Sequence, residues 1–148
     1  MLRDDISSLL SEAKCLINRK MELINIIKQS ETEKRYLIPT DNSQQLLDLL
    51  QKDQDCMEQI ELLDFDIQQI KHQIAAIAGM DQFSYDRLSP THEIKEMHDA
   101  ETRILSSMDS LSKSRLELIE MIERRLEGMN RDINSLSRLN KLKWDQNS

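Results

Sequence analysis

The chain has 148 residues, enough for one domain (1–148) and too few for two comfortable ones. Charged residues make up 32% and aromatics 3%, with two glycines and two prolines, a mixture that suits long exposed helices and an elongated bundle with a thin core. The net charge of −7 is uneven: residues 1–123 hold 24 acids against 14 bases, and residues 124–148 hold six bases against three acids, so the acidic body argues against general nucleic-acid binding.

No stretch approaches the roughly 18 to 20 apolar residues that a bilayer span needs, so membrane insertion is not expected. Met1-Leu2-Arg3-Asp4-Asp5 carries acids where a secretion signal has bases and then an apolar run. The expected location is the cytoplasm. Cys15 and Cys56, far apart in a helical chain, read as reduced thiols.

The first helix is expected over about residues 4–35. Leu2, Leu9, Leu16 and Leu23 recur every seven residues, with Ile6, Ala13 and Ile27 on the complementary position and Lys20 as a polar intruder. Leu10, Ile17 and Ile24 widen this stripe, as suits a helix that touches two neighbours. Pro39 disfavours helical geometry at Ile38 and ends it.

The second helix is expected over about 41–79, with Asp41 as N-cap and Gln44 reaching back to it. Its core positions run Leu46, Leu49, Asp53, Cys56, Ile60, Leu63, Ile67, Ile70, Ile74 and Ile77, alternating steps of three and four without error. Asp53 is the polar member. It reads either as a register-setting salt-bridge partner or, by preference, as a residue near the bundle end that reaches solvent. Gly79 is the natural stop. Residues 80–89 form the one substantial loop, and Phe83, Tyr85 and Leu88 should fold it back over the bundle end.

Ser89 and Pro90 read as cap and first residue of a third helix running to about Lys141. Its stripe is Ile94, Met97, Glu101, Ile104, Met108, Leu111, Arg115, Leu118, Ile122, Leu126, Met129, Ile133 and Leu136. Met97 and Met108 are expected in the core. Two consecutive four-residue steps around Ile122 form a stutter, before which this helix should follow the second one closely. Short connections imply antiparallel neighbours, so the fold class is all-α: three long antiparallel amphipathic helices in an elongated coiled-coil-like bundle. The third helix should overrun the bundle, and an uncovered stripe there marks a binding surface. The expected contacts are Ile119, Ile122, Leu126, Met129, Ile133, Leu136 and Leu139, with Arg125 and Arg138 on the rim.

Catalytic and metal chemistry find no support, and no cofactor is expected. His92 and His98 stand six apart, where a zinc-protease helix needs four, and neither cysteine has a histidine near it in sequence. The chain reads as a binding protein and not as an enzyme.

The stretch Gln45-Leu46-Leu47-Asp48-Leu49-Leu50-Gln51-Lys52-Asp53-Gln54, leading to Ile60-Glu61-Leu62-Leu63, and the spacing from Leu111 to Leu136 resemble helices two and three of the FlgN-type flagellar type III export chaperones. Ser112–Arg115 departs from the asparagines of that family's third helix. The resemblance implies a cytoplasmic chaperone for type III secretion in flagellar biosynthesis. Its partners would be the amphipathic C-terminal helices of hook-associated, hook–filament junction proteins, kept from premature assembly. The alternative is a structural coiled-coil or adaptor protein that self-associates through its third helix.

Overall fold

Between residues 2 and 37, and again between 43 and 78, neither glycine nor proline interrupts the chain, and each stretch forms one continuous helix. The computed structural model describes the backbone of residues 2–40 and 42–147, and the side chains of residues 4–40 and 42–141. It contains α1 (Leu2–Leu37), α2 (Ser43–Ala78), a 3₁₀ turn (Tyr85–Arg87) and α3 (His92–Asn147), and no strand among the described residues. The protein is an all-α helical bundle. At 1.5 Å per residue, α1 and α2 are each about 54 Å long and α3 about 84 Å.

The caps explain the small differences from the expected limits. Pro39 ends α1, with Thr40 Oγ1 donating to the Leu37 carbonyl at 2.7 Å. Asp41, the expected cap of α2, lies outside the described residues. The N-cap is Asn42, and Gln44 does not reach back: its amide donates to Asp48 one turn on, at 3.0 Å. Gly79 closes α2 in the left-handed conformation (φ 73°), with the Met80 N–H donating to the Ala75 carbonyl at 2.8 Å. Pro90 is not the first residue of α3. Thr91 caps it instead, Oγ1 accepting from the Ile94 N–H at 3.4 Å, so the helix starts at His92.

The arrangement differs from the expected one in which helix lies at the centre. α1 packs along both α2 and α3, whereas α2 and α3 make little backbone contact with each other. The wide stripe of α1 is the cause, because it is two adjacent faces, one for each neighbour. α2 runs antiparallel to α1, as Lys20–Asp64 and Lys34–Asp53 place it. α3 runs parallel to α1: Ser7 meets Glu93 near both starts, and Arg35 meets Ser114 and Glu117 further along.

The core joins Leu10, Ala13, Ile17, Leu23, Ile24 and Ile27 of α1 with Ile60, Ile67, Ile70 and Ile74 of α2 and Ile94, Met97, Ala100, Ile104 and Leu111 of α3. Leu9 and Leu16 are only partly buried, so the centre of the α1 stripe lies one residue further round than the Leu2–Leu23 heptad. Leu63 is likewise half-buried. Met97 is fully buried, but Met108 is 40% exposed and not core, because α3 turns that position away from α1. Phe83, Tyr85 and Leu88 do pack back on the bundle. Tyr85 stacks on His98 with ring centroids 4.6 Å apart, and its hydroxyl donates to Glu101, which also binds Lys71 at 2.8 Å. Burial and that hydrogen bond push the Tyr85 phenol well above its ordinary range.

Candidate functional site

The bundle and α3 end at different places. The last turn of α1 binds α3 at Ser114 and Glu117, with Arg35 Nη2 at 3.0 Å from Ser114 Oγ and 2.7 Å from Glu117 Oε2. Beyond Leu118, the last buried apolar residue of α3 among the described residues, the helix continues to Asn147. That is about 45 Å of helix with progressively less beside it.

The side chains expected at a binding surface lie on this overhang. Ile122 is half-buried, while Ile119, Leu126, Met129, Ile133, Leu136 and Leu139 are each about half or more exposed, from 49% at Met129 to 60% at Leu136. Arg138 is exposed, and Arg125 borders the groove described next. Leu142 and Trp144 have side chains outside the described residues. A row of this length in water is costly to leave bare.

The α1–α2 turn covers the row in part. Leu37, Ile38 and Leu46 face Ile122, Leu126 and Met129 across a groove of about 430 Å³. The stripe is therefore not wholly outside the bundle. Its first half forms one wall of a groove, and its second half, from Asn130 to Lys141, is free on all sides among the described residues.

One turn further into the bundle the groove acquires a polar floor. The buried stripe of α1 does not stop at Ile27 but runs on through Glu31, Lys34 and Ile38, at the same steps of four and three. Lys34 bridges Glu31 Oε1, at 3.2 Å, and Asp53 of α2, and all three side chains are at most 4% exposed. Arg115 Nε lies 3.6 Å from the same Glu31 oxygen, and its Nη2 lies 3.5 Å from Met57 Sδ. Asp53 thus does not reach solvent. It is pinned inside because Lys34, from the facing helix, balances it. Glu31 Oε2 and Asp53 Oδ1 have no hydrogen-bond partner. Both residues line a cavity of about 290 Å³ with Leu50, Arg115, Ile119 and Ile122.

Comparison with family models, curated proteins and solved structures gives no match to this chain. No helix among the described residues is long and apolar enough to cross a membrane. No group of three or more His, Cys, Asp or Glu side chains among them is placed to hold a metal ion. His92 pairs with Glu96 along one helix edge, and His98 is stacked on Tyr85.

The two thiols are free and differ sharply. Cys15 is exposed, whereas Cys56 is buried beside Asp53, and burial followed by that carboxylate pushes its thiol up. A disulfide reagent under native conditions should modify Cys15 promptly and Cys56 orders of magnitude more slowly, at the rate of local opening. Equal rates, read by mass spectrometry of labelled peptides, would place Cys56 on the surface.

Proposed function

We propose that the protein binds an amphipathic helix of another protein along α3 from Ile119 to Leu139. The observation that carries this reading is the apolar row that continues past the end of α1 and α2, where every described member except the half-buried Ile122 has about half or more of its side chain in water. A row repeating at three and four residues, edged by Arg125, Arg138 and several glutamates, is the complement of a helix with one apolar face and a polar back. A chain that supplies such a helix would otherwise self-assemble through it, so the protein acts as a chaperone for it. The resemblance to the FlgN-type export chaperones points to the C-terminal helices of hook–filament junction proteins, bound in the cytoplasm and handed to the export gate. Segments that fold on binding give up ordering entropy, so affinity is moderate and release is feasible.

The test is titration of fluorescent peptides carrying those C-terminal helices. The full chain should bind them. The double variant Met129→Asp/Ile133→Asp should weaken binding by at least about a hundredfold, since central apolar contacts are commonly worth about 2 kcal/mol or more each. Circular dichroism of the variant should keep the bundle's helical signal. Peptide binding unchanged by the double substitution would sink the proposal.

A further inference from the structure

On its strict heptad positions the row on α3 reads the same in both directions, as any alternation of fours and threes does, so a second copy can lie on it in register. From Arg115 the positions are Arg115, Ile119, Ile122, Leu126, Met129, Ile133, Leu136 and Asn140, at steps of four, three, four, three, four, three and four. Read backwards, the steps are the same, with six apolar residues in the middle and one polar residue at each end. A helix of this pattern laid antiparallel on its own copy meets itself in register. Ile119 then faces Leu136 of the second copy, Ile122 faces Ile133, and Leu126 faces Met129 about the two-fold axis.

The charges agree with that direction. Residues 116–123 carry Glu117, Glu120 and Glu123 and no base, while residues 131–141 carry Arg131, Arg138 and Lys141 against Asp132 alone. Antiparallel pairing lays the first stretch alongside the second, and places Arg125 of one copy beside Asp132 of the other, twice by symmetry. A parallel pairing would set the basic stretches side by side.

The polar ends agree as well. In this register Asn140 of the second copy arrives level with Arg115, at the cavity where Glu31 Oε2 and Asp53 Oδ1 are buried and unpartnered. An amide offers the two N–H donors that such a pair of acceptors needs. A polar residue matched to a polar layer is also how helix pairs select one register over a slipped one.

We infer that two copies of this chain pair through α3, antiparallel and centred between Leu126 and Met129, with the end of each α3 filling the other's groove beside α2. The pairing goes beyond the partner-binding proposal, because it states what covers the row when no other protein does. It is measured on the purified chain alone, so its failure leaves partner binding untouched, and failure of peptide binding leaves the pair untouched.

Sedimentation equilibrium of the full chain at micromolar concentration tests it. Wild type should sediment as a dimer. Arg125→Asp and Asp132→Arg should each weaken the dimer about tenfold or more, since each sets like charges against each other at two symmetric places. The double variant Arg125→Asp/Asp132→Arg should recover most of the loss. Asp132 is exposed and on the overhang, and unchanged helical circular dichroism of the variants confirms that the bundle is kept. A wild-type monomer at hundreds of micromolar overturns the inference. So does a dimer that the single substitutions leave intact, or one that the double substitution fails to restore.

Discussion

Lys34→Met should lower the free energy of unfolding by about 3 to 5 kcal/mol, more than most single substitutions in this chain. Lys34 is enclosed with two carboxylates, Glu31 one turn before it and Asp53 on the antiparallel helix, and none of the three side chains is more than 4% exposed. Removing the ammonium leaves Asp53 buried without a counter-charge and leaves Glu31 with Arg115 alone, at 3.6 Å. Arg115 cannot replace it, because its side chain is 38% exposed, stands 3.6 Å from Glu31 and does not contact Asp53. The loss thus comes from the stranded carboxylates more than from the missing attraction. A second variant separates the two: Glu31→Leu, Lys34→Met and Asp53→Leu together should restore wild-type stability or exceed it, since a packed apolar layer has no desolvation cost to offset. Urea titration followed by circular dichroism, at one fixed protein concentration, measures both. A loss below about 1 kcal/mol for Lys34→Met would mean that water reaches the layer.

That layer also marks the limit of what the sequence makes legible. The three helices and their breaks follow from three-four rhythms, unbroken in the second helix, and from Pro39 and Gly79, which are local signals. The α2 core shows in the same way at Ile60, Ile67, Ile70 and Ile74. Glu31 and Lys34 continue the α1 rhythm through Ile24 and Ile27, yet charge alone predicts exposure for both. Their burial depends on Asp53 arriving from another helix, and Asp53 taken singly favours solvent for the same reason. The rhythm was the better signal, since three charged residues on two facing stripes can solve one another's desolvation. The position of α1 between its neighbours was written in the width of its stripe, but a wide stripe does not say which helix takes which side. Met108 illustrates the consequence. It fits the α3 rhythm, yet α3 follows α1, and the stretch that a neighbouring α2 would have covered stays open. The overhang was legible from helix lengths alone, whereas the groove between Leu46 and Leu126 required the turn at residues 38–42 to be seen in place.

Ile24→Ala should be the most costly of the single apolar truncations, at about 2 to 5 kcal/mol. Ile24 is fully buried, on the helix that touches both others. Removing its outer carbons leaves a cavity in the core that α1 shares with α2 and α3. Neighbouring Leu23 and Ile27 are themselves at most 2% exposed, so the walls have little freedom to close on the cavity and the cost falls high in the range. The informative comparison is Ile133→Ala, a truncation of the same chemistry on the overhang, where the side chain is 57% exposed. In dilute protein it should change stability by less than about half a kcal/mol, because half of that side chain is in water in both folded and unfolded chains. Thermal or urea melts of the two variants, taken across a range of protein concentrations, give the contrast directly. At concentrations where copies pair through α3, Ile133→Ala should begin to cost stability while the Ile24→Ala loss stays nearly constant, since one residue packs inside a protomer and the other between two. An Ile133→Ala loss as large as that of Ile24→Ala at every concentration would make the α3 row intramolecular core, and would remove the surface on which both the helper role and the paired state depend.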